Sequence, residues 1–183
     1  MTSERIILGI DPGTTIMGYG LIEIRNNLPS LLNLGYLELK KTSDHFTRLH
    51  RIFEHTLQLI DEYHPDELAI EAPFYGKNVQ SMLKLGRSQG VAISAALHRQ
   101  IPIFEYAPRK IKLSITGQGS ASKEQVAALL KSILKLKELP DNLDATDGLA
   151  VAMCHFYQKK PYSEGKAYRN WNDFIRKNPD RIK

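Results

Sequence analysis

The chain holds one cysteine and one tryptophan in 183 residues. A lone thiol, Cys154, excludes an internal disulfide. It follows Ala150-Val151-Ala152-Met153, which reads as a small buried hydrophobe. No Cys/His cluster has zinc spacing. No apolar run approaches the roughly 20 residues that span a membrane. The opening MTSERIILGI lacks a basic segment followed by a long apolar one, so no signal peptide is expected and a cytoplasmic protein is. There is no internal repeat. What remains, 42% hydrophobic and 25% charged, fits a globular protein with a sizeable core.

Charge of one sign is missing in places. Residues 138–158 carry four acids and no base, and residues 77–137 carry eleven bases and only two acids. Residues 1–76 are net −5, and the tail, 159–183, is net +5. A polyanion gripped by the bases and presented to the acids would explain this layout. Solvated helix faces with scattered lysines are the alternative.

Hydrophobic periodicity supplies the elements. Ile6–Asp11, Gly18–Arg25 and Leu31–Leu39 read as an antiparallel meander, with Asn26-Asn27 as a turn. Residues 45–63 are helical, with Phe46, Leu49, Ile52, Phe53, Leu57 and Ile60 on one face, and Pro65 ends that helix. Glu67–Glu71 is a short buried strand, parallel to the first because a helix crosses between them. A helix over 79–99 has a small, apolar side (Met82, Leu85, Gly86, Gly90, Ile93, Ala96, Leu97). Ile101–Tyr106 is a fifth strand, and Pro108 starts a short helix ending at Gly117. Ser122-Lys123-Glu124-Gln125 is a capping box opening a helix with Val126, Leu129, Leu130, Ile133 and Leu134 inward. A last helix runs from about Asn142 to Tyr157. The fold expected is α/β, a mixed five-stranded sheet with helices on both faces. Residues 1–158 form the domain. The basic tail, 159–183, has little core-forming power and is expected to be flexible.

Four acids are hard to explain as ordinary surface. Asp11 and Glu71 end the apolar runs Ile6–Ile10 and Leu68–Ile70. Ligands of α/β sheets lie off such strand ends, and level parallel neighbours about 4.8 Å apart bring their carboxylates together. Asp144 and Asp147 share a helix face, being three apart. Taken singly, Asp-Pro-Gly is also a good turn, and acids also suit a helix N-terminus. Taken together, four like charges in one cleft require cations or raised pKa values. Oxygen-only ligands suit Mg²⁺ or Mn²⁺. Two such ions about 3.5–4 Å apart would activate a water and stabilise the leaving oxygen of a phosphodiester.

The blocks ILGIDPGTTIMGYG, AIEAPFYGKNVQSMLKLGRSQGVAI, FEYAPRKIK, TGQGSASKEQV and DATDGLAVA, in this order and spacing, resemble the RuvC family of Holliday junction resolvases in the RNase H-like superfamily. The resemblance spans about residues 5–158. It implies a catalytic and metal-binding tetrad of Asp11, Glu71, Asp144 and Asp147, with two Mg²⁺ per site (Mn²⁺ possible). It implies a homodimer that nicks two strands of a four-way DNA junction symmetrically, beside a branch-migration complex of RuvA and RuvB. Phe74 matches the aromatic that stacks near the crossover, and Tyr75 is a second contact. Lys112 and Lys123 match DNA-binding lysines, and Lys77, Arg87, Arg109 and Lys110 add backbone contacts. The helix over 79–99, or its apolar neighbour, is the candidate dimer interface. His50, His55, His64, His98 and His155 are read as surface or packing residues. Other readings of the residues stay open here: a nucleotide-binding lobe opened by Asp-x-Gly-Thr, a nuclease acting on RNA, and a non-catalytic junction binder.

Overall fold

The structure, a computed structural model, describes residues 4–40, 44–74, 78–140 and 142–158. Three strands come first: β1 (Arg5–Asp11), β2 (Ile16–Arg25) and β3 (Leu28–Glu38). Helix α1 (His45–Tyr63) crosses to β4 (Glu67–Glu71), and α2 (Val79–His98) crosses to β5 (Ile103–Tyr106). Three helices end the order: α3 (Pro108–Thr116), α4 (Lys123–Ile133) and α5 (Asp144–Gln158). The sheet order is β3-β2-β1-β4-β5, with β1, β4 and β5 parallel and β2 and β3 antiparallel additions. The mixed five-stranded sheet read from the sequence is therefore present.

Period-2 alternation sorts β1 and β4 between two cores. Leu8, Ile10, Leu68 and Ile70 pack under α1 and α2 with Ile52, Leu59, Ile60 and Ala92. Ile7 and Ala69 pack under α5 with Leu149, Met153 and Phe156, and with Ile111 of α3 and Leu130 of α4. Helices thus cover both faces, and the parity that puts Ile7 and Ala69 beneath α5 also aims Asp11 and Glu71 at that side.

Several boundaries move, for physical reasons. β3 begins at Leu28 rather than Leu31 because Asn26 and Asn27 both take positive φ, 53° and 61°. That pair makes a two-residue hairpin whose twist matches the strands, so pairing continues to Arg25–Leu28. β2 starts at Ile16, paired with Glu38. α5 starts at Asp144, where the Asn142 side chain accepts from the Asp144 N–H at 2.9 Å. The expected inward face of α4 is too wide. Leu129 and Ile133 are exposed, because α4 packs through the narrower stripe Val126, Ala127 and Leu130. The buried stripe of α2 is also rotated from the expected one. It is Ser88, Gln89, Ala92, Ala95 and Ala96, while Leu97 is exposed.

Candidate active site

The parallel register Ile10–Ile70 brings the next residues, Asp11 and Glu71, side by side at the carboxyl ends of β1 and β4. The turn after Asp11 is closed by main chain, Gly13 N–H to Asp11 C=O at 3.1 Å. The Asp11 carboxylate therefore remains available to the cleft, where a turn-making aspartate would have spent it.

α5 reaches these strand ends because it lies directly on β1 and β2 backbone. A Cβ on Gly148 would stand 2.4 Å from the Tyr19 Cα, and one on Gly18 would stand 2.1 Å from the Asp144 carbonyl oxygen. Only glycine permits that approach. The far end of the same helix is pinned by a buried polar chain. The fully buried His155 shares a hydrogen bond with the Tyr106 hydroxyl at Nδ1, 2.6 Å, and with the Glu67 carboxylate at Nε2, 2.7 Å. From His155 back to Asp147 is about 12 Å of helix. From Glu67 to Glu71 is about 13 Å of strand. The two spacings match, so pinning one end aligns Asp147 with Glu71 at the other.

The resulting cleft, about 200 Å³, is lined by Asp11, Glu71 and Asp147, by Lys112 and Lys123, and by the apolar Pro108, Ile111, Val126 and Ala150. Asp144 stands just outside that lining. The capping box at Ser122 and Gln125 fixes the first turn of α4, which holds Lys123 over the acids. Its ammonium bonds Asp144 closely and Asp147 Oδ2 at 2.5 Å. Gln89, which sequence reasoning passed over, reaches from α2 to the Glu71 carbonyl at 3.2 Å and the Glu105 carboxylate at 2.9 Å. These bonds explain how a glutamine can be buried there.

The electrostatics follow from the crowding. Burial, then the charges of Asp147 and Asp144, push Asp11 from 3.8 to about 7. Burial, then Asp11 and Asp147, push Glu71 from 4.5 to about 8. Asp147 is raised too, chiefly by burial, against the opposing pull of Lys123. Burial disfavours the charged form of Lys123, but its bonds to Asp144 and Asp147 outweigh this and raise it. Four carboxylates against the two ammoniums of Lys112 and Lys123 are short of positive charge. As these side chains stand, no three His, Cys, Asp or Glu among the described residues converge on a single ion position. The Lys123 ammonium lies between two of the acids, so the donor set fits a hard divalent cation once that ammonium moves.

The expected DNA contacts divide into three groups. Lys112 and Lys123 line the cleft. Phe74 is 66% exposed and borders a smaller pocket that shares Asp11 and Glu71 with the cleft. Arg87, Arg109 and Lys110 are exposed but outside the lining, and the Lys110 ammonium lies 5.2 Å from the centre of the Tyr106 ring. Tyr75, Lys77 and the tail 159–183 lie outside the described residues. Among the described residues no helix is long and apolar enough to cross a membrane.

Comparison with known proteins identifies the family and the fold. The family model for crossover junction endodeoxyribonuclease RuvC matches residues 7–155. The crossover junction endodeoxyribonuclease RuvC of Christiangramia forsetii is 60% identical over 183 residues, covering all of this chain and 95% of that protein. The Bacteroides fragilis protein of the same name is 58% identical, over 98% of this chain and 97% of its own. Among solved structures, T. thermophilus RuvC in complex with Holliday junction substrate superposes with a TM-score of 0.77 at 29% identity, covering 84% of this chain and 94% of that one.

Proposed function

The chain belongs to the RuvC family of crossover junction endodeoxyribonucleases, and we propose that Asp11, Glu71, Asp144 and Asp147 are the residues with which it cuts. It is a Holliday junction resolvase with an RNase H-like fold, an endonuclease dependent on a divalent metal. The observation that carries the site assignment is the convergence of Asp11, Glu71 and Asp147 on one cleft, with pKa values raised by burial and mutual repulsion.

The metal of this reading is Mg²⁺, two ions per site, with Mn²⁺ as a substitute. All-oxygen ligation and the absence of a thiolate at the cleft favour a hard cation. Bound there, the metal would supply an activated water and charge neutralisation for phosphodiester hydrolysis. The chain's own groups do the rest. Asp11 and Glu71 are held by the sheet, and Asp147 is held by the close-packed start of α5. Pro108, Ile111, Val126 and Ala150 limit water on one wall. Lys112 and Lys123 meet the phosphate backbone. Phe74, at the rim, stacks on a base unpaired at the crossover, a contact worth about 1–3 kcal/mol. Arg87, Arg109 and Lys110 add contacts to more distant phosphates, with Tyr75, Lys77 and the basic tail beside them.

The acting form is a homodimer, since a two-fold junction needs two sites related by a two-fold axis. α2 is the interface. Val79, Leu83 and Leu97 are exposed on it, and among the described residues nothing beyond the helix's own neighbouring backbone lies within 4 Å of a Cβ built on Gly86 or Gly90, so a second chain can approach. Residues 1–158 are the nuclease domain. The protein works in the cytoplasm with the RuvA and RuvB branch-migration complex.

The test is a synthetic mobile four-way junction incubated with purified protein, with and without Mg²⁺. Paired symmetric nicks that need Mg²⁺ and vanish in Asp11→Asn or Glu71→Gln, with binding retained, are expected. Binding lost along with cleavage would make these acids structural.

A further inference from the structure

Lys123 stands in two places that one side chain cannot hold at once. The DNA reading puts its ammonium on a phosphate. The structure puts it between Asp144 and Asp147, bonded to both. Those two carboxylates are also the helix-borne half of the proposed metal site. An ammonium and a divalent cation this close on the same oxygens repel each other and compete for the same lone pairs. The side chain has somewhere to go. It is a third exposed, and its four-carbon stem is rooted on the first turn of α4 at the edge of the cleft.

We propose that Lys123 is a built-in counter-ion which a divalent cation must displace from Asp144 and Asp147, and that this displacement releases its ammonium to the junction phosphate. This deepens the reading of the four acids as the metal site and rests on it. The arrangement does two things. Without metal, the ammonium neutralises the helix-borne acids, so α5 keeps its seat despite the crowding. With metal, the same positive charge is handed to the DNA side of the cleft, so metal loading and phosphate grip become linked. Linkage is reciprocal: if the ion strengthens junction binding through Lys123, the junction strengthens ion binding by the same factor.

Lys112 is the natural control. It lines the same cleft, and its charge acts on Glu71 and Asp147 through space. Removing either lysine makes the cleft more negative, but only Lys123 has to vacate carboxylates it is bonded to.

The experiment is titration calorimetry of MnCl₂ into the metal-free full-length chain, with no DNA present. Lys123→Met should bind Mn²⁺ about fivefold or more tighter than the unsubstituted protein, and Lys112→Met less than about twofold tighter. Unchanged or weaker binding in Lys123→Met would overturn the proposal. So would an equal gain in both variants, because a general charge effect would then suffice. Asp147→Asn separates the two levels. If it binds Mn²⁺ as the unsubstituted protein does, the acids are not the metal site and both readings fall. If it loses binding while Lys123→Met gains none, only the displacement fails. Should Lys123→Met not fold, Lys123→Gln serves, with anisotropy of a fluorescent four-way junction read with and without CaCl₂. The gain in junction affinity on adding CaCl₂ should be at least about fivefold larger in the unsubstituted protein than in Lys123→Gln. Equal gains would refute the hand-over.

Discussion

Asp11 and Glu71 enter the cleft from the central strands of the sheet, whereas Asp147 enters it, with Asp144 beside it, from the first turn of a helix. The strand-end pair is the more buried and bears the larger shifts, to about 7 and about 8. The helix-borne pair shares the Lys123 ammonium. One half of the site is therefore held by rigid backbone and left electrically frustrated. The other half is relaxed by a cation and can be rearranged by moving one side chain. A metal centre built this way gets its geometry from the sheet and its adjustability from the helix.

The comparison breaks most sharply at the strand ends. Asp11→Asn or Glu71→Gln removes a proposed metal ligand held by the sheet. Losing several kcal/mol of transition-state stabilisation lowers single-turnover cleavage on the order of a thousandfold. Asp11→Asn should at the same time raise the melting temperature of the metal-free protein at pH 8, since it removes a frustrated charge. A fall there would mean the carboxylate is structurally required.

Next in size is the seat of the helix. Gly148→Ala drives a Cβ into Tyr19 backbone, which cannot yield as a flexible side chain would. It should cost about 3 kcal/mol in urea unfolding, the upper end of ordinary overpacking, and should reduce cleavage by displacing Asp147. A stable variant with normal cleavage would show that α5 can shift without harming the site.

The frustrated pair also sets a pH dependence. Asp11 and Glu71 have folded pKa values above their unfolded ones of 3.8 and 4.5, so the folded metal-free protein binds more protons than the unfolded chain. The stability these two groups contribute falls as pH rises from about 4 to about 8. A divalent ion favours the ionised forms and opposes that fall. Mg²⁺ should therefore raise the melting temperature more at pH 8.5 than at pH 5.5, and equal increments would remove the strand-end acids from metal binding.

Two smaller effects lie at the rim. Phe74→Ala should cost about 1–3 kcal/mol in cleavage and little in unfolding, because the ring is largely exposed. Equal losses would make it a packing residue. Lys112→Ala should lower the slope of log affinity against log salt by about one, and an unchanged slope would take Lys112 off the phosphate backbone.

Much of this site was legible because its local signals are strong. Asp11 and Glu71 close apolar runs that the crossing helix makes parallel neighbours ending level. Ser122 and Gln125 spell a capping box that forms as read. The Lys123 ion pairs were not legible, because lysine 21 positions before an aspartate has no periodic relation to it. Gln89 was missed because a polar residue in a helix reads as solvated until its distant partners, Glu71 and Glu105, are known. The alternation of Gly18 and Gly20 within a strand of otherwise large side chains was a signal of close backbone approach, and it went unused.

By itself the sequence determined the elements, the two-residue turn and the acids that close two apolar strands, because these depend on neighbours within a few residues. Only the tertiary structure decided that α5 lies on glycine-bared backbone, that His155 pins its far end, and that Lys123 bridges the helix-borne acids. Those contacts join residues far apart in the chain. They exist only once the sheet has closed and α5 has settled against it.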